Sequence, residues 1–126
     1  YFDAFRDCLN ERLGRGAVDC GLKNGRIVVS PLAYLRGKTF NDAFVVLDEA
    51  QNCTRSQLKM FLTRIGENCR VVVNGDIKQS DIGSHSGLQD AIDRLRGVAS
   101  VYTHEFCRDD IVRSGLVKDI LIRYED

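Results

Sequence analysis

Apolar residues recur along the chain with two periods, and the points where one gives way to the other mark its elements. Phe2, Phe5, Leu9 and Leu13 stand three or four apart and stop at Gly14, predicting an amphipathic helix closed by glycine with its apolar face packed into a core. Residues 26–30 (RIVVS) are short, β-branched and bounded by Asn24-Gly25 and Pro31, which predicts a strand entered from a turn. Residues 43–47 (AFVVL) form a continuous apolar run with no polar alternation, as in a parallel strand buried on both faces. The period then lengthens. Thr54 with Gln57 makes a capping box, Leu58, Phe61, Leu62 and Ile65 line one helical face, and Gly66 can end the helix in the left-handed conformation. Residues 71–73 repeat the apolar strand and run into Asn74-Gly75-Asp76. Ser86 with Gln89 opens a helix whose face is Leu88, Ala91, Ile92 and Leu95 before Gly97. Residues 101–106 predict a last strand, and Asp109 caps a final helix bearing Ile111, Val112, Leu116, Ile120 and Leu121.

The order is helix, strand, strand, helix, strand, helix, strand, helix, without an internal repeat or linker. Such alternation predicts an α/β fold: a parallel sheet with helices on both faces, in three layers, because right-handed crossovers place the helices there. One domain is expected over residues 1–126, and a 44% apolar fraction supplies its core.

Composition narrows the function. Eighteen basic and 18 acidic residues cancel, so no global field gathers polyanions and any nucleic-acid contact must be local. No apolar run approaches the roughly 20 residues that span a bilayer, and no membrane partner is expected. Cys8, Cys20, Cys53, Cys69 and Cys107 form no C-x-x-C pair and are odd in number, which fits a reducing, cytoplasmic setting. His85 and His104 stand apart from any paired thiols, so no metal–thiolate site is assigned. The chain opens on Tyr1 with a helical pattern already under way, and a preceding portion of the domain is expected.

In a parallel sheet, ligands bind beyond the carboxyl ends of the strands. Two predicted strands end in polar groups: one in Asp48-Glu49, the other in Asn74-Gly75-Asp76 with Gln79 close behind. Four apolar residues followed by Asp-Glu is the Walker-B pattern. A strand-tip carboxylate can hold hydrated Mg²⁺ beside nucleotide phosphates, and the next one can orient the attacking water. Asp48 is the candidate magnesium carboxylate and Glu49 the candidate base. Acids favoured by the dipole of the following helix would look the same. Gln79 suits a γ-phosphate sensor, since a neutral amide accepts from water and donates to phosphate; a plain turn residue is the other reading. Gly37-Lys38-Thr39 imitates the end of a phosphate loop, but the glycine required five residues before Gly37 is Leu32, and no G-x-x-x-x-G-K-[ST] occurs in the chain.

Several blocks together are more specific. The runs 31–39 (PLAYLRGKT), 41–52 (NDAFVVLDEAQN), 57–66 (QLKMFLTRIG), 75–79 (GDIKQ), 86–88 (SGL) and 110–113 (DIVR) resemble the signature blocks of PhoH-like P-loop ATPases over nearly the whole chain. The resemblance implies a partial RecA-like P-loop NTPase fold whose Walker-A loop lies upstream of Tyr1. It implies an ATPase with ATP and Mg²⁺ as ligands, a cytoplasmic location, a link to RNA metabolism, and homo-oligomers that form rings in some members. By position, Asp48 and Glu49 match the Walker-B pair, Gln79 the sensing glutamine, and Arg113 an arginine that meets phosphate from its own or a neighbouring subunit. A solvated helix-face charge is the plain alternative for Arg113. Ile82-Gly83 stand where the family usually has proline, implying a looser loop. Arg36 and Lys38 fall in a block that could touch RNA or a neighbouring subunit, although no aromatic–basic stacking platform supports RNA binding independently. Two other functions stay open: a non-catalytic RNA-binding or assembly module with a degenerate nucleotide site, and an active RNA helicase.

Overall fold

The computed structural model describes residues 2–35 and 37–124. Its α-helices and strands follow the order α1 (Asp3–Leu13), α2 (Arg15–Asn24), β1 (Ala43–Leu47), α3 (Arg55–Leu62), β2 (Cys69–Val73), α4 (Leu88–Leu95) and α5 (Gly115–Tyr124), with short 3₁₀ turns between them. The class is α/β. The chain divides into two compact units, Tyr1–Gln89 and Asp90–Asp126.

In the first unit β1 and β2 run parallel, with Ala43 opposite Cys69 and Leu47 opposite Val73. The pairing is pinned at its amino end by short polar side chains. Asn41 Oδ1 accepts from the Glu67 N–H at 2.9 Å, and Asn68 Nδ2 donates to Asp42 Oδ1 at 2.8 Å. Asp42 and Asn68 both adopt positive φ, near 50°, which short polar residues tolerate best. β2 starts two residues earlier than residues 71–73 predict, because its partner continues to donate and accept there. Neither strand is buried on both faces. Ala43, Val45 and Leu47 are half-buried, whereas Phe44 is 70% exposed and Val46 40%. Among the described residues the sheet has these two strands, so one face stays open despite its apolar side chains.

The core of this unit is Val18, Ala50, Cys53, Leu58, Phe61 and Leu88. Leu58 and Phe61 come from α3, each only 1% exposed, and burying such side chains stabilises by about 1.5–3 kcal/mol apiece. The predicted capping box is present: Thr54 Oγ1 accepts from the Gln57 N–H at 3.2 Å, and Gln57 Oε1 accepts from the Thr54 N–H at 2.9 Å. Gly66 does not close α3 in the left-handed region; its N–H donates to Phe40 O at 2.8 Å, and the residue is glycine because the chain passes too close for a side chain.

Other expectations change. α1 ends at Gly14 as predicted, at φ 86°, but buries no residue; Leu13 is 57% exposed. Among the described residues its main neighbour is α2, which does not enclose the apolar face. Residues 26–30 are not a strand. Gly25 adopts φ 78° and turns the chain back so that the Ile27 N–H bonds to Gly21 O at 2.9 Å, leaving Val28 and Val29 exposed.

In the second unit, residues 101–106 are not a strand either: among the described residues nothing pairs with them as one, and Tyr102 is 93% exposed. The predicted helix from Asp109 is split. A 3₁₀ turn covers Arg108–Asp110, and α5 begins only at Gly115, with Ser114 Oγ accepting from the Val117 N–H at 3.4 Å. Ser114 supplies a competing helix start, so Ile111 and Val112 precede the helix. Asp110, rather than Asp109, makes the local bond: its Oδ2 accepts from the Cys107 N–H at 2.7 Å. That amide, with the Cys107 thiol, holds the Asp110 carboxyl below the usual carboxylate range.

Candidate functional site

The carboxyl ends of β1 and β2 lie side by side, because Leu47 and Val73 are register partners and both strands point the same way. Asp48 and Asn74 therefore leave the sheet together. Their backbones continue the ladder for one more step: the Asn74 N–H donates to Leu47 O at 2.9 Å, and the Ala50 N–H donates to Asn74 O at 3.0 Å. Asn74 Nδ2 donates to Asp48 Oδ1 at 2.9 Å. Asp48 is half-buried, and Oδ1 is the oxygen that takes the Asn74 amide.

Glu49 occupies the left-handed region, φ 53° and ψ 39°, an unusual place for a glutamate. Such a backbone costs about 1–3 kcal/mol and persists only where its surroundings hold it. Here it lets the chain turn at once from strand into the 3₁₀ turn Ala50–Asn52, so that Ala50 and Gln51 are buried while Glu49 stays exposed. Successive carboxylates thus meet different surroundings.

The second loop is built around Asp76, whose Oδ1 accepts from the Lys78 N–H at 2.9 Å and caps the 3₁₀ turn Ile77–Gln79. Gln79 is the last residue of that turn and is exposed. The two loops are stitched together: the Ser80 hydroxyl donates to Gln51 O at 3.0 Å, and Asn52 Oδ1 accepts from the Asp81 N–H at 2.8 Å. Gly75 permits this closeness, since a Cβ there would stand 2.8 Å from both Gln51 Oε1 and Leu88 Cδ2.

Of the residues expected to act, Asp48, Glu49 and the turn carrying Gln79 are thus gathered at one edge of the sheet. Arg113 belongs to the other unit, exposed in the segment before α5. Lys38 is exposed; Arg36 lies outside the described residues. Spacing and periodicity do not single out Gln51, 2% exposed, whose Nε2 donates to Glu49 Oε2 and whose Oε1 accepts from the Asp76 N–H at 3.0 Å. Its sequence signals are its place in the block 41–52 and a polar side chain close behind the end of β1.

The donors at this edge are hard oxygens. Among the described residues no three of His, Cys, Asp and Glu cluster around a common point. A cation here would rest on the Asp48 carboxylate, waters and substrate oxygens, the manner in which Mg²⁺ is held beside phosphates. The chemistry of the donor set therefore fits magnesium.

An α/β fold with an Asp-Glu pair and a polar turn on adjacent parallel strand ends defines a candidate nucleotide-site edge. A family profile described as PhoH-like protein matches residues 1–125. The chain belongs to this family. It is 46% identical over 128 residues to Protein PhoH of Escherichia coli strain K12, covering 98% of this chain and 36% of that protein. It is 44% identical over 127 residues to a PhoH-like protein of Mycobacterium leprae, covering 99% of this chain and 35% of the relative. For a PhoH-like protein of Bacillus subtilis the identity is 40% over 127 residues, covering 99% and 40%. The chain thus spans a little over a third of the length of the curated relatives it matches. Among the described residues no helix is long and apolar enough to cross a membrane.

Proposed function

We propose that these residues form the Walker-B and sensor portion of an ATP-hydrolysing site in a RecA-like P-loop domain, completed by a Walker-A loop from outside this sequence. Asp48 would hold Mg²⁺ through water, with Asn74 fixing its carboxylate. The ion, when bound, neutralises charge on the transferring phosphoryl oxygens. Glu49 orients the attacking water and accepts its proton, Gln79 contacts the γ-phosphate, and Arg113 stabilises the charge that gathers there, from its own or a neighbouring subunit. Coupling to RNA, assembly into a homo-oligomeric ring and a cytoplasmic location belong to the same proposal.

One observation carries the reading: the parallel register that ends β1 and β2 at the same level, with Asn74 bonded to Asp48. Ordinary helix-start acids do not require a partner amide from the next strand, nor a strained backbone at the second acid. The experiment is ATP binding and turnover by the full-length protein carrying Glu49→Gln. Binding should persist while turnover falls at least about a hundredfold, as expected when a group acting only in the transition state is lost. Turnover at the wild-type rate would remove the assignment.

A further inference from the structure

We infer that Gln51 is a positioning residue that clamps the Glu49 carboxylate to the Gly75–Asp76 turn, so that the water-orienting group and the segment leading to Gln79 move as one. The inference rests on the hydrolytic role proposed above for Glu49.

Gln51 is buried to 2% exposure, yet it carries a donor and an acceptor, and both are used. Its Oε1 accepts from the backbone N–H of Asp76 at 3.0 Å, and its Nε2 donates to Glu49 Oε2. The orientation of the amide is dictated by chemistry: reversed, it would set an NH₂ against the Asp76 N–H and an oxygen against a carboxylate. Only a side chain with both functions on one planar group can satisfy a carboxylate on one side and an amide N–H on the other. Ionised glutamate lacks the donor, and methionine, of similar length, has no donor and only a weak sulfur acceptor.

The clamp is also held from behind. The Ser80 hydroxyl donates to the Gln51 carbonyl at 3.0 Å, and Gly75 leaves no volume between the turn and Gln51 Oε1. Glu49 itself is exposed on a left-handed backbone, and among the described residues this amide is what restrains its carboxylate. Without Gln51 an exposed glutamate would sample several rotamers, and a catalytic group misplaced by about 1 Å can lose about a hundredfold in rate. The bond from Gln51 to Asp76 then gives the turn bearing Gln79 a direct hold on that rotamer.

Two variants of the full-length protein separate the two ends of the clamp. In Gln51→Met both bonds vanish: kcat for ATP should fall about 10–100-fold with KM within about twofold, and hydrogen exchange at the Asp76 amide should speed up about tenfold or more. In Gln51→Glu, assayed at a pH where both carboxyls are ionised, the acceptor for Asp76 is kept and the donor to Glu49 is lost, so kcat should fall as in Gln51→Met while Asp76 exchange stays near that of wild type at the same pH. A merely structural glutamine would not divide the two readouts in this way. Wild-type kcat in both variants, with Glu49→Gln inactive, would overturn the clamp and leave the hydrolytic reading intact. Unchanged Asp76 exchange in Gln51→Met would overturn it whatever the reaction. Wild-type turnover by Glu49→Gln would remove the hydrolytic role and the clamp with it, and that single rate tells the two failures apart.

Discussion

Space, rather than backbone freedom, makes residue 66 a glycine. A Cβ there would lie 2.1 Å from Asn41 Oδ1 and 2.5 Å from the Phe40 carbonyl oxygen, and the second of these cannot move without breaking the approach of the chain to β1. Gly66→Ala should therefore destabilise the protein by about 1–3 kcal/mol. Gly16, inside α2 with nothing within 4 Å of where a methyl group would stand, supplies the contrast: Gly16→Ala should be stabilising by about 0.5–1 kcal/mol. Denaturant melts of the two variants check both signs. Cys53 sets a pH limit at the same scale. Burial pushes its thiol above the ordinary value of 9.0, so the unfolded chain ionises first. Its contribution to stability is complete below that value and is lost as pH climbs through the raised folded one. Alkylation should accordingly reach exposed Cys8, Cys20 and Cys107 well before Cys53, as timed mass spectrometry would show.

At the scale of elements, α3 illustrates what is legible in the sequence. Its capping box and start follow from Thr54 and Gln57 and its buried face from Leu58 and Phe61, because caps and helical periodicity are local properties, whereas Ile65 lies beyond the helix end at Leu62 and is 40% exposed. Thr54→Ala should cost about 1 kcal/mol, read as a shift in the denaturation midpoint at constant slope. β1 and β2 are equally visible as β-branched runs, and their polar ends point to Asp48, Glu49, Asn74 and Gln79 without any geometry. Residues 26–30 and 101–106 carry the same local signal and are not strands, since pairing with another strand is a non-local matter that a β-branched run does not decide. α2 is concealed because Gly16 and Gly21 interrupt its pattern; Gly21 is there for the approach of Ile27, at 2.8 Å from a would-be Cβ. Gln51 is hidden for a related reason. Its importance lies in two hydrogen bonds, one of them to a residue 25 positions away, and no spacing rule encodes that.

At the scale of the whole molecule, the sheet exposes Phe44, Val46 and Val72 on one face, and among the described residues its two outer strand edges are unpaired. Such a surface invites association. The 126-residue chain by itself should self-associate in a concentration-dependent way, and Phe44→Ser should reduce this measurably by light scattering without altering the β1–β2 register. The same register sets the functional edge, where Asp48 and Glu49 leave one strand and the turn to Gln79 leaves the other. The most direct test of that edge uses Mn²⁺, a paramagnetic stand-in for Mg²⁺, with ATP and the isotopically labelled full-length protein. Titration should broaden the amide signals of residues 48–51 and 75–79 together, and Asp48→Asn should abolish the effect in both segments. Broadening of one segment without the other, or broadening indifferent to Asp48→Asn, would contradict a shared metal–nucleotide site.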